Sequence, residues 1–300
     1  MQSCNLCPRN CKVYRNQEAG VCGEYDTIRI ARASLHMWEE PPISGEGGSG
    51  TVFFTGCPLH CVFCQNHNIA DGTNGVPVTT DELARIFLKL QEMGAHNVNL
   101  VTATHFVPGV IDALKKAKDS GLVIPIVYNS SGYENVETIK LLSGLIDIYL
   151  PDFKYVSHEI SLRYSNAPDY FEVAKAALCE MFDQVGTPVF DSTGLLKKGM
   201  VVRHLILPGC VDDSKDVIDY LFGTYQDDMY ISIMNQYTPL PAQLARYPKL
   251  NRTLTDDEYD EVVDFAIGLG ITNAFIQEGA AAAESFIPDF KNWDLATFLK

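Results

Sequence analysis

No run of this 300-residue chain approaches the roughly 20 consecutive apolar residues that cross a bilayer. The opening Met1-Gln2-Ser3-Cys4 lacks the charged start and apolar core of a secretory signal. A cytoplasmic location is therefore expected. Basic excess is missing too. Asp and Glu number 38 against 23 Lys and Arg, a net charge of -15, which argues against nonspecific attachment to nucleic acid or anionic membrane. Internal repeats are absent, and Ala280-Ala281-Ala282-Ala283 is short enough to read as a helix start rather than low complexity. A reducing compartment disfavours disulfides, so the nine cysteines read as thiols or metal ligands. With 46% of residues hydrophobic, the chain can bury a large core.

One further absence is local. Cys57, Cys61 and Cys64 lie in Gly56-Cys57-Pro58-Leu59-His60-Cys61-Val62-Phe63-Cys64, directly after the apolar run Thr51-Val52-Phe53-Phe54-Thr55, and no fourth cysteine follows nearby. Three thiolates at C-x3-C-x2-C on one tight loop can hold three irons of a cubic iron–sulfur cluster, leaving the fourth iron open to a small ligand. A structural zinc site would want a fourth ligand, which His60 or His67 could supply. The position of the motif, after a strand and at the head of a β/α series, argues for the cluster.

Strand-length apolar runs at 51–55, 98–103, 123–128, 145–150, 200–207 and 229–234 show little polar alternation. Strands buried on both faces of a parallel sheet read this way. Helical patterns separate them: 80 to about 93, 108–119, 134–143, a long region 157–184, 212 to about 221, and 255 to about 269. Six β–α units with right-handed crossovers predict a parallel sheet or barrel, with Asn273-Ala274-Phe275-Ile276 as a further edge strand and a hairpin turn between 187 and 200. Residues 39–50, with two prolines and four glycines, read as a loop. Within it, Trp38-Glu39-Glu40-Pro41-Pro42 is expected to be either an exposed linker or a lip over the barrel mouth.

In parallel barrels the chemistry gathers at the C-terminal ends of the strands. Polar clusters fall there: the cysteine loop, Thr102-Ala103-Thr104-His105, Asn129-Ser130-Ser131-Gly132, Pro151-Asp152-Phe153-Lys154 and Asn235-Gln236-Tyr237. Arg203 and His204 alternate on a strand, so one of them faces the interior; Arg203 is the expected one. His105 is a candidate catalytic residue or, equally, a satisfied core histidine.

A second group, Cys4, Cys7, Cys11 and Cys22, has the spacing C-x2-C-x3-C-x10-C. Four thiols in so short a segment can close around zinc or an auxiliary iron–sulfur cluster. Cys179 is expected to pack in a helix, and Cys210 to lie near the rim.

Gly50 to Asn66 resembles the radical S-adenosylmethionine superfamily, and within it the family related to pyruvate formate-lyase activating enzyme. The likeness covers about residues 39 to 240. It implies a partial (β/α)6 TIM-like radical SAM barrel with a small N-terminal Cys-rich appendage. Residues 1–50 would form the appendage and linker, 51–280 the barrel and 281–300 a C-terminal extension. It implies a [4Fe-4S] cluster on Cys57, Cys61 and Cys64 that binds S-adenosylmethionine, with Phe63 against the adenine. Asn129-Ser130-Ser131-Gly132-Tyr133 resembles the strand-three motif near the cofactor. Asp152-Phe153-Lys154 matches the element that reaches the methionine carboxylate, and Arg203 the strand-five arginine. Thr102, Thr104, His105 and Gln236 complete the expected cofactor contacts. Two positions depart from the family: Thr102-Ala103-Thr104-His105 stands where Gly-Gly-Glu is common, and Asn235-Gln236-Tyr237 where the activase has a histidine. The expected reaction is reductive cleavage to a 5′-deoxyadenosyl radical that abstracts hydrogen, fed by a donor such as flavodoxin or ferredoxin. The expected target is a glycyl radical enzyme. Modification of a small molecule or peptide side chain, or a non-catalytic metal-binding role, stays open.

Overall fold

The computed structural model describes residues 3–277, 290 and 293–300. Its strands are β1 Arg29–His36, β2 Ser49–Phe54, β3 Val76–Pro77, β4 Val98–Val101, β5 Ile126–Ser130, β6 Ile148–Pro151, β7 Val189–Phe190, β8 Leu196–Leu205, β9 Tyr230–Met234 and β10 Ala274–Ile276. The described strands form one sheet in the order β10-β9-β8-β6-β5-β4-β2-β1-β3, with β7 paired to β8. From β2 through β4, β5, β6, β8 and β9 to β10 every pairing is parallel. Helices return the chain between these strands, so the α/β class and the mostly parallel sheet are as the apolar runs imply. The order has β10 at one end and β3 at the other, so the sheet is an open arc rather than a closed ring.

The core explains the uniformly apolar strands. Every residue of β2, β4, β5 and β6 is buried. Ile148, Tyr149 and Leu150 expose no surface. Burying one large apolar side chain contributes roughly 1.5–3 kcal/mol, so polar alternation on these strands would be costly. Helix starts are equally explicit. Thr79 and Glu82 form a capping box on the helix Thr80–Glu92, and Thr255 and Glu258 do the same for Asp256–Leu269.

Four differences from the sequence reading have local causes. β1 went unread because Arg29, Arg32 and Ser34 interrupt its apolar residues; it pairs antiparallel with β2, next to the sheet edge, where alternation is tolerated. It therefore extends the sheet into the segment assigned to the appendage and linker. The third strand starts at Ile126 rather than 123, and Val123 is 84% exposed, because Pro125 cannot donate to a ladder. The shift moves Asn129 and Ser130 into the strand end itself. The region 157–184 is two helices, His158–Ser165 and Tyr170–Val185, broken where Asn166 turns left-handed (φ 45°) ahead of Pro168. Within 39–50 the chain makes a short helix, Pro41–Ser44, instead of a continuous loop. The hairpin before β8 and the edge strand β10 are present as read. Cys179 is exposed, not packed, and Cys210 is buried at the start of the helix Val211–Tyr225. The alanine run at 280–283 lies outside the described residues. Among the described residues no helix is long and apolar enough to cross a membrane.

Candidate active site

The cysteine loop leaves β2 through Gly56, whose φ of +76° is one that a side chain would strain. Space forbids a side chain there as well. A Cβ would fall 2.5 Å from Glu24 Cγ and 2.6 Å from the Cys22 carbonyl oxygen. The loop is tied down on its other side by Val62, whose N–H donates to the Tyr164 carbonyl at 2.9 Å. Ser165 Oγ donates to Cys61 Sγ at 3.1 Å and shares a 2.8 Å bond with the Tyr155 hydroxyl. Gln65 Nε2 donates to the Gln236 carbonyl at 2.6 Å, linking the loop to the segment after β9.

Cys57, Cys61 and Cys64 line one cavity of about 370 Å³ together with Phe63, Thr102, Asn129, Ser130, Asp152, Lys154, Arg203 and Gln236. The sequence-predicted rim is thus brought together from β2, β4, β5, β6, β8 and β9. Burial pushes the Cys57 thiol up to about 11 and raises Cys64 further, against a smaller opposing pull from Lys154. Bare thiolates are therefore disfavoured here, and a bound metal would supply the stabilisation that lets them ionise. Among the described residues no three or more His, Cys, Asp or Glu side chains close on a single point as a finished cage. The three thiols share the cavity instead, and the donor set and the space both fit an iron–sulfur cluster with one open iron.

The polar wall is one continuous network. Lys154 Nζ donates to Asp152 Oδ2 at 2.7 Å. Arg203 donates through Nε to Asp152 Oδ1 at 2.9 Å and through a terminal nitrogen to Asn129 Oδ1 at 2.7 Å. Its other terminal nitrogen reaches Glu39 Oε2 at 3.2 Å. Burial would raise the Asp152 carboxyl, but Arg203 and Lys154 outweigh it and hold it below its ordinary value. Burial would likewise lower Lys154, and Asp152 reverses that, keeping the ammonium charged. Gly132 (φ +74°) lets β5 and β6 approach: a Cβ there would lie 2.2 Å from the Asp152 carbonyl oxygen.

Two expected contacts do not reach the cavity. Thr104 turns away to donate to the buried Glu134 Oε1 at 2.6 Å. His105 is 1% exposed, with Nε2 bonded to the Thr55 carbonyl at 2.7 Å; burial lowers its pKa to about 3, so it sits neutral behind the wall. It answers to the core histidine, although only Nε2 is bonded and the buried Nδ1 has no hydrogen-bond partner. Arg203 does face the cavity, while His204 is buried with Nδ1 on the Phe153 carbonyl.

Glu39 was missed as a site residue. Its side chain is 7% exposed, bound to Arg203 and to Asn99 Nδ2 at 2.9 Å. Burial raises its carboxyl despite Arg203. Consecutive acids held by Pro41-Pro42 ahead of a barrel strand are the signal that could have found it. His36, Trp38 and His67 also line the cavity.

A profile of the Radical SAM superfamily matches residues 51–221. An uncharacterised protein of Methanocaldococcus jannaschii is 30% identical over 272 residues, 88% of this chain and 74% of the relative. A pyruvate formate-lyase-activating enzyme of Clostridium pasteurianum is 30% identical over 219 residues, 70% of this chain and 82% of that enzyme. A solved thermostable chitinase domain of Pyrococcus furiosus overlaps 65% of this chain and 68% of its own at 14% identity and a TM-score of 0.37, too slight a likeness to carry an argument.

Proposed function

The chain belongs to the radical SAM superfamily, and from that premise we propose that it is an enzyme that cleaves S-adenosylmethionine reductively and directs the resulting radical at a C–H bond of a protein substrate. The observation that carries this reading is the shared cavity: three thiols on one wall and the Lys154–Asp152–Arg203–Asn129 network on the other. A [4Fe-4S] cluster on Cys57, Cys61 and Cys64 would supply one electron, giving methionine and a 5′-deoxyadenosyl radical.

The work of the chain's own residues is orientation and exclusion of water. Lys154 offers a permanent cation to the methionine carboxylate. Asp152, held ionised by Lys154 and Arg203, can accept a hydrogen bond from a hydroxyl or ammonium group of the cofactor. Asn129 and Ser130 add donors and acceptors at the end of β5. Phe63, buried with its ring 6.2 Å from that of Tyr237, offers an apolar surface to the adenine. Phe54, Leu59, Ile69 and Val101 line the rest and keep water from the reacting centre.

The 30% likeness to a pyruvate formate-lyase-activating enzyme and the open arc of the sheet support activation of a glycyl radical enzyme, since an open side admits a bulky substrate. Thr102-Ala103-Thr104 in place of Gly-Gly-Glu, and Gln236 in place of a histidine, favour a second reading: modification of a different peptide or small molecule. The electron donor in either case would be a flavodoxin or ferredoxin. The test is anaerobic reconstitution with iron and sulfide, then addition of S-adenosylmethionine and dithionite. Formation of 5′-deoxyadenosine is expected; an intact cluster without product overturns the proposal. Transfer of a radical signal to a glycyl radical partner would separate the two substrates.

A further inference from the structure

The sequence separates two thiol groups, but the fold joins them. The N-terminal lobe is built around tight turns. Asn10 N–H donates to the Cys7 carbonyl at 3.0 Å, with Asn10 at φ 43°, and Lys12 N–H to the Cys4 carbonyl at 3.1 Å. A Cβ at Gly20 would lie 3.2 Å from Cys22 Sγ and 3.6 Å from Cys11 Sγ, so these two sulfurs flank one glycine.

The lobe grips the cysteine loop of the barrel directly. Cys57 N–H donates to the Cys22 carbonyl at 3.1 Å. The His60 ring bonds the Val21 carbonyl at 2.7 Å. Arg9, on the turn after Cys7, donates to Pro58 O at 2.7 Å, Leu59 O at 3.0 Å and Ser165 O at 2.8 Å, and also to Asn166 O. Pro58 and Leu59 lie between the first two thiols of the cluster motif. Ser165 and Asn166 end the helix whose Ser165 hydroxyl bonds Cys61 Sγ. One guanidinium thus fastens the cysteine loop to the helix end, where a cation also complements the exposed carbonyls. Its face lies 5.2 Å from the centre of the Tyr133 ring. Lysine, a point donor, could satisfy only part of this set.

We propose that the N-terminal lobe is a latch on the cluster loop, with Arg9 its positioning residue. The inference rests on the reading of Cys57, Cys61 and Cys64 as cluster ligands. Loss of the Arg9 bonds would loosen the loop before it takes up iron.

The test uses the full chain, before and after anaerobic reconstitution. Deuterium uptake is followed in a peptide spanning 56–64, alongside metal content and the paramagnetic spectrum of the reduced cluster. Arg9→Gln is expected to speed exchange in that peptide about tenfold, as loss of several hydrogen bonds would, and to lower the cluster signal and alter its shape. Arg9→Lys should recover part of both. Unchanged exchange and spectrum in Arg9→Gln overturn the proposal. If Arg9→Gln exchanges faster everywhere, Arg9→Lys decides: a change confined to 56–64 supports the latch, and wild-type uptake there overturns it. A wild-type protein with cluster and latch but no 5′-deoxyadenosine would overturn the proposed reaction alone.

Discussion

Arg203 on β8 reaches Asp152, just beyond β6, with Nε 2.9 Å from Oδ1, and this bond organises the polar wall of the cavity. Asp152 passes the charge to Lys154, while the rest of the guanidinium holds Asn129 and Glu39. A single fork-shaped cation on β8 orders Asn129 on β5, Asp152 just beyond β6 and Glu39 after β1, which a flexible ammonium could not do.

Arg203→Gln therefore leaves Asp152 and Glu39 facing each other without their shared cation. Removing one partner of a buried pair costs about 3 kcal/mol or more. Chemical denaturation should show a loss of that order, and 5′-deoxyadenosine formation should fall by about 100-fold through misplaced cofactor contacts. Arg203→Lys should fall between. A variant with wild-type stability and turnover would mean the network is ornamental.

Cys61→Ala separates fold from chemistry. Cys61 is only partly buried, on a loop, and its sulfur accepts from Ser165. Stability should change by no more than about 1 kcal/mol. Iron content, the cluster's spectrum and 5′-deoxyadenosine should all drop to background. Retention of a cluster would reassign the thiols.

Gly132→Ala tests the close approach of the strand ends. The added Cβ meets the Asp152 carbonyl at 2.2 Å, at a φ of +74° that alanine resists. The backbone must move, at a cost of about 3 kcal/mol, and Asp152 and Lys154 move with it. Calorimetric titration of S-adenosylmethionine into the reconstituted variant should show affinity weakened about tenfold or more. Wild-type affinity would place the cofactor elsewhere.

Much of this was legible because parallel strands buried on both faces need unbroken apolar runs, and rim residues directly follow them. Arg203 could be chosen over His204 because alternation sends neighbours to opposite faces. The segment 38–42 was legible only as a linker or a lip, without its partner. Glu39 meets Arg203 across 164 positions, and no local pattern encodes so distant a partner. His105 was ambiguous for a different reason. Whether a polar residue after a strand points in or behind depends on backbone torsion, and Thr102, at φ 60°, turns the chain so that Thr104 and His105 face away. Nothing in the sequence marks Arg9, since its partners are main-chain carbonyls that carry no side-chain signature.

Glu134 gives the pH prediction. It is 1% exposed behind the cavity, accepting from Thr104 at 2.6 Å and Tyr128 at 3.4 Å. Burial pushes its carboxyl from the ordinary 4.5 up to about 7, over the opposing pull of Thr104, Ser130 and Tyr128. The folded chain then binds this proton more tightly than the unfolded one, so the contribution favours the fold at low pH. It is complete below about 4.5 and is lost as pH rises through about 7. A shift from 4.5 to about 7 corresponds to about 3 kcal/mol at 1.36 kcal/mol per unit. Glu134→Gln keeps an oxygen for Thr104 and an amide for Tyr128 but cannot ionise. Urea denaturation at pH 5 and pH 8 should show the wild type losing stability across this interval and the variant losing up to about 3 kcal/mol less. If both lose stability in parallel, the carboxyl that governs this interval is not Glu134.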